Sequence, residues 1–100
     1  MWARLILNCG GVDLVAHELA TDVITVGRAS LNHVVIDDPT VSAQHAMLMR
    51  LGRSYRLRDL RSTNGTQVNG VPITEAELND GDKIRFGSVV AIFAGCFRKS

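Results

Sequence analysis

The chain has 100 residues, of which 46% are apolar and only 5% aromatic, and its formal net charge is +1 with histidine neutral. A chain of that length buries roughly two-thirds of its unfolded surface as one domain, with a core built mostly from Val, Ile, Leu and Met. So balanced a charge excludes the strong basic field of a duplex-binding module. The longest apolar run, near residues 89–95, falls far short of the roughly 20 residues that a membrane-spanning helix needs.

The N-terminal segment MWARLILNCGG carries one arginine and too short an apolar stretch for a secretory signal, so a cytoplasmic, reducing setting is expected. RLILN (4–8) and LVAHEL (14–19) predict short strands on either side of a Gly10-Gly11 turn. Ile24 and Val26 share a face with Arg28, so Arg28 emerges where that inward row leaves the core. HVVID (33–37) and HAMLMRL (45–51) are further strands, separated by the Asp38-Pro39 turn. In SYRLRDL, Tyr55 and Leu57 oppose Arg56 and Arg58, the alternation of a half-buried strand. The cationic side of that strand, with Arg50 and Arg53 nearby, reads as a solvated face.

Next comes RSTNGT (61–66), a polar tip with more hydrogen-bonding groups than a turn requires. Its Asn64-Gly65-Thr66 is a glycosylation sequon in form, but without a signal peptide it reads as a turn. QVNG and VPIT flank Asn69-Gly70, a two-residue hairpin signal because both turn positions need positive φ. TEAELND, like VAHELATD upstream, has a helix-friendly composition over too few residues to form an independent helix. DKIRFG sets Ile84 and Phe86 against Lys83 and Arg85, and VVAIF ends the series. No window of 12 or more residues sustains a 3.6 period. Many short strands with frequent turns predict an all-β fold, an antiparallel sandwich or barrel. With no linker, repeat or charge block, residues 1–100 read as one domain.

Enzymatic constellations are weak. Ser42 and His45 are close in sequence, but Val41-Ser42-Ala43 lacks the flanking glycines of a nucleophile elbow. Asp37-Asp38 and the pair Asp80 and Asp82 lie in turns, where aspartate caps backbone N–H groups. Cys9 and Cys96 make neither a disulfide framework nor a metal site. They read as unpaired thiols that could join on oxidation if the chain ends lie together. No catalytic residue, metal or cofactor is expected.

The polar residues beside strand ends admit two readings. Arg28, Thr40, Ser42, His45, the 62–66 stretch and Asn69 are either independent loop residues or parts of one receptor. An arginine fork, hydroxyl donors and loop N–H groups are what a phosphate dianion requires, although anion-friendly loops are common.

The order of the blocks adds to this. GR (27–28), VSAQHA (41–46), DLRSTNGTQVNG (59–70) and LNDGDKIRFG (78–87) together resemble the forkhead-associated (FHA) domain family, over about residues 23–94. The resemblance implies a sandwich of about eleven short antiparallel strands with binding loops at one end. It also implies a non-catalytic task, recognition of phosphothreonine in a partner protein for signalling, as a module of a larger protein. Carried onto this chain, Arg28 grips the phosphate, Ser42 donates to it, Thr63 contacts the phosphothreonine region and Asn64 holds the peptide backbone beyond it. Gly27, His45, Gly65 and Asn69 are structural supports: Gly27 permits the strand-to-loop geometry, His45 ties two loops together, and Gly65 supplies positive φ.

The chain departs from the family pattern at Ala43, where relatives often carry Arg, Lys or Asn to assist the phosphate. One charge-assisted donor fewer implies binding about tenfold or more weaker. It also keeps open an alternative, a phosphate-independent adaptor or self-association domain. Arg61, on the same loop as Thr63, reads either as a selectivity residue for an acidic position or as a solvated charge. The expected partner is a phosphothreonine-containing protein, with no nucleic acid and no membrane insertion.

Overall fold

A computed structural model of the protein describes residues 2–9 and 13–96, so the Gly10-Gly11 turn lies outside the described residues. Eleven strands follow in chain order: β1 (Trp2–Cys9), β2 (Asp13–Glu18), β3 (Val23–Gly27), β4 (Val34–Val35), β5 (Ala46–Leu51), β6 (Ser54–Asp59), β7 (Thr66–Val68), β8 (Val71–Ile73), β9 (Glu75–Leu78), β10 (Lys83–Phe86) and β11 (Val89–Cys96). They form a six-stranded sheet ordered β2-β1-β11-β10-β7-β8 and a five-stranded sheet ordered β4-β3-β5-β6-β9. The alternative of a closed barrel is therefore replaced by two packed sheets. Pairing is antiparallel except between β3 and β4, which run parallel over two residues only, Val26 opposite Val34 and Gly27 opposite Val35.

Alternation explains which face each strand buries. Leu5, Leu7, Ile84, Phe86, Ala91 and Phe93 point inward from the larger sheet. Ile24, Val26, Leu48, Tyr55, Leu57 and Leu78 meet them from the smaller one. Every side chain in these two rows is almost completely buried, the close-packed contact that sandwiches make between inner faces. The predicted hairpin is present: Val68 pairs with Val71, and Asn69 and Gly70 have φ of 52° and 83°. Asn69 also fastens the hairpin to β10, its Nδ2 donating to Asp82 Oδ1 at 3.0 Å and its Oδ1 accepting the Lys83 N–H at 3.0 Å.

Three expectations change. TEAELND is no isolated helix-friendly stretch but contains β9, the edge strand beside β6. Leu78 and Ala76 pair with Tyr55 and Leu57, while the Glu75 carboxylate accepts from the Nε atoms of Arg56 and Arg58 at 3.0 and 2.9 Å. Tertiary pairing outweighs composition there. The cationic face of β6 is likewise ion-paired rather than merely solvated. The cysteines are the third correction. The chain ends do lie together, Trp2 opposite Cys96, but Cys9 pairs with Asp13 at the far end of β1. Seven residues of strand separate the two positions, roughly 23 Å at about 3.3 Å per residue. A disulfide needs Cα atoms within about 7 Å, so the register forbids this pair.

Candidate functional site

Three connections meet at one end of the sandwich: the β3–β4 loop (28–33), the β4–β5 loop (36–45) and the β6–β7 loop (60–65). The first two are zipped together through their backbones. The Arg28 N–H donates to Ser42 O at 2.9 Å, and the Ala29 N–H donates to Ala43 O at 3.2 Å. Asn32, buried to 8% exposure, completes the zipper by donating Nδ2 to Ala43 O at 2.7 Å and to Ala29 O at 2.8 Å. Gly27 is required by this closeness rather than by an unusual φ, since a Cβ there would stand 2.3 Å from Ala43 O.

Besides the Leu60 N–H donating to His45 O at 2.9 Å, the third loop is held against the second at three points. The Thr63 N–H donates to Ser42 Oγ at 3.0 Å, and Asn64 Nδ2 donates to Thr40 O at 2.8 Å. His45, fully buried and edge-on to Phe86, makes the third. The Ser42 N–H donates to its Nδ1 at 3.1 Å, so Nδ1 carries no proton, and Nε2–H donates to Gly65 O at 2.9 Å. One ring thereby fixes its own tautomer and joins two loops. Gly65 has φ of +83° with open space where a Cβ would be, so its conformation is what demands glycine.

Within the third loop, Asp59 accepts from the Ser62 N–H, from Ser62 Oγ and from Thr66 Oγ1 at 3.2, 2.5 and 2.7 Å. Burial pushes this carboxyl's pKa up, but the bonds from Ser62 and Thr66 outweigh it and hold the pKa below the ordinary 3.8. Asp38 organises the second loop in the same way. The Thr40 hydroxyl and N–H hold its carboxyl below the usual range, and Ser88 joins them from the β10–β11 turn. Asp38 and Asp82 cap turns as expected, Asp82 taking the Asn79 N–H at 2.8 Å.

The result is a preformed surface. Arg28, Ala43, Thr63 and Asn64 are exposed and Ser42 is half-buried. Among the described residues Arg28 has no carboxylate within ion-pair distance. Because Ser42 Oγ already accepts from Thr63, its hydroxyl proton is left to donate outward. Of the sequence-predicted residues, Gly27, Arg28, Ser42, His45, Thr63, Asn64 and Gly65 come together in this loop cluster. Arg61 also lies on the third loop, exposed and with φ of 55°, a strained conformation for a side chain of its size. Asn69 does not join the cluster and instead braces the β7–β8 hairpin. Sequence reasoning missed Asn32 and Asp59 as organisers of the loops. Asp59 and Ser62, three apart, and Asp38-Pro39-Thr40 carry the spacing of local side-chain caps, whereas nothing in the sequence marks Asn32.

No group of three His, Cys, Asp or Glu residues able to hold a metal ion occurs among the described residues. Nor does any helix long and apolar enough to cross a membrane.

Comparison with known proteins places this geometry in context. Residues 24–87 match the family model for the FHA domain. The ABC transporter ATP-binding/permease protein Rv1747 of Mycobacterium tuberculosis is 39% identical over 77 residues, 77% of this chain but 9% of that protein. A solved structure from a structural and functional analysis of phosphothreonine-dependent FHA domain interactions superposes with a TM-score of 0.86 at 33% identity, covering 94% of this chain and 96% of the other. Mycobacterium tuberculosis EmbR, solved with a low affinity phosphopeptide, superposes with a TM-score of 0.87 at 31% identity, covering 99% of this chain and 26% of EmbR. The chain spans 9 to 52% of the length of the curated relatives it matches.

Proposed function

The chain belongs to the FHA domain family, and on that premise we propose that its loop cluster binds a phosphothreonine-containing segment of a partner protein. FHA domains are non-catalytic recognition modules, and this chain acts as one, with no reaction of its own. It serves as a signalling module of a larger cytoplasmic protein, in keeping with its spanning only part of its relatives, 9% of one and 52% of another.

One observation carries the reading. The Arg28 guanidinium is exposed without a carboxylate partner among the described residues, on a loop zipped to the loop that presents the Ser42 hydroxyl. A phosphate dianion brings the charge that Arg28 lacks and acceptor oxygens for Ser42 and Thr63. The loop backbones that carry these donors are tied together before the ligand arrives, so side-chain rotamers are the main thing left to order on binding. Asn64 faces the peptide from the third loop, where its Nδ2 must leave Thr40 O or its Oδ1 must accept. Ala43 contributes no side-chain donor, so the side-chain contribution to affinity is set by Arg28, Ser42 and Thr63. A slot for one methyl favours threonine over serine by only about 1 kcal/mol, unless it also positions the phosphate.

The test is binding to an oriented phosphothreonine peptide library with matched phosphoserine and unphosphorylated pools, by wild type and Arg28→Ala side by side. Phosphothreonine enrichment that vanishes in the variant is expected, with a loss of about 2–4 kcal/mol for a single peptide. An acidic preference at one flanking position, absent in Arg61→Ala, assigns selectivity to Arg61. Equal binding by Arg28→Ala overturns the site assignment. Enrichment in no pool leaves the phosphate-independent adaptor, which the engaged Asn64 amide and Ala43 favour.

A further inference from the structure

Lys83 and Arg85 alternate with Ile84 and Phe86 along β10. The apolar pair is fully buried, and both cations stand exposed on the outer face of the larger sheet. Other strand cations are matched by acids: Arg4 with Glu18, Arg50 with Asp22, and Arg56 and Arg58 with Glu75. Among the described residues Lys83 and Arg85 have no such partner. Their neighbour Asp82 is committed elsewhere, one oxygen accepting from Asn69 Nδ2 and the other from the Asn79 N–H.

Between these cations and Gln67, Gly70 and Val90 lies a groove of about 190 Å³. Its base is fixed, because the Asn69 N–H donates to Lys83 O at 2.7 Å while Asn69 Oδ1 takes the Lys83 N–H. Each cation also has an aliphatic neighbour across the β10–β11 register, Val90 opposite Arg85 and Ile92 opposite Lys83. Two like charges side by side on one sheet face are unfavourable without a counterion.

We propose that this groove is a second docking surface, taking an extended acidic segment of a partner protein. The segment carries carboxylates on alternate residues, with an aliphatic side chain on the same face. Charge and spacing select that occupant. Alternate residues on one face of an extended chain repeat at roughly 6.8 Å, the repeat shared by Lys83 and Arg85 and by carboxylates two apart. Val90 and Ile92 supply the apolar contact that a purely electrostatic patch lacks. The groove lies on the outer face of the larger sheet, whereas the loop cluster lies at the end of the sandwich.

The experiment titrates isotope-labelled protein with the acetylated, amidated peptide Ser-Glu-Ser-Glu-Ser-Leu-Ser and follows backbone amide shifts. A control peptide replaces both glutamates by lysine. Shifts at Gln67, Lys83, Arg85 and Val90 that weaken with added salt are expected. The double variant Lys83→Glu/Arg85→Glu should bind about tenfold or more weakly, with the amide pattern of its loops unchanged because both side chains are exposed. No shifts at millimolar peptide, equal binding of the lysine control, or equal binding by the double variant overturns the proposal. So do shifts confined to the loops around Arg28 and Ser42, which mean that glutamate only imitates phosphate there. Tighter binding of a ten-residue oligothymidylate at the same amides overturns it in favour of single-stranded nucleic acid.

Discussion

His45 shows how much of the site can rest on a side chain that no ligand reaches. It is fully buried, and its two ring nitrogens join the loops bearing Ser42 and Gly65. His45→Ala removes both bonds and leaves the Ser42 N–H and Gly65 O short of partners, at a cost of about 2–4 kcal/mol. At roughly 4–8 °C per kcal/mol for a domain of this size, the melting temperature falls by about 10 °C or more. Phosphopeptide binding weakens with it. Calorimetry beside a binding titration checks this, and lost binding at an unchanged melting point would make His45 a direct contact instead. Arg28 behaves in the opposite way, because its exposed guanidinium holds no part of the fold together and its loss should leave the melting temperature unmoved. The matching blocks made both residues legible, but Asn32 was not, since its partners are carbonyls of Ala29 and Ala43 that meet only after folding.

The β7–β8 hairpin separates a structural asparagine, Asn69, from Asn64, the one proposed to bind. Asn69 has φ of 52° and three hydrogen bonds to Asp82 and Lys83. Asn69→Gly keeps the backbone conformation and loses the side-chain bonds. Asn69→Ala also strains φ, so it should be the less stable of the two, by about 1 kcal/mol. Chemical denaturation of both variants measures the difference, and phosphopeptide affinity should stay at the wild-type value in each. Reduced affinity with intact stability would instead bring Asn69 into the site. This hairpin was readable because Asn-Gly between two valines dictates its own turn. β9 was not readable, because Glu75, Ala76 and Glu77 become a strand only when β6 offers its edge and Arg56 and Arg58 meet the Glu75 carboxylate.

At the scale of the molecule, acid should loosen the binding end through its carboxylates. The Asp59 and Asp38 pKa values are depressed in the folded state. Their contribution is therefore fully present above the unfolded value near 4 and is lost as pH falls through the folded values. Thermal stability should be insensitive to these groups above about pH 5 and decline below about pH 4. Asp59→Asn, which sets an amide N–H₂ against the Ser62 donors, should cost about 1–2 kcal/mol at neutral pH. It should also show a shallower decline in acid, and an acid limb identical to wild type would remove Asp59 from that role.

The sequence by itself determined the all-β class, the buried row of each strand, the β7–β8 turn and the order of the blocks that names the family. These are local properties, set by a period of two, by positive-φ positions and by residue spacing along the chain. The family resemblance carried by those blocks also implied the sandwich, but only the tertiary structure decided the order of strands in its two sheets and that Cys9 and Cys96 stand at opposite ends of a strand pair. It also brought Arg28, Ser42 and Thr63 onto one surface while sending Asn69 elsewhere. Those outcomes depend on which strand lies beside which and in what register, and long-range pairing is fixed by the packing of two whole faces rather than by any short stretch.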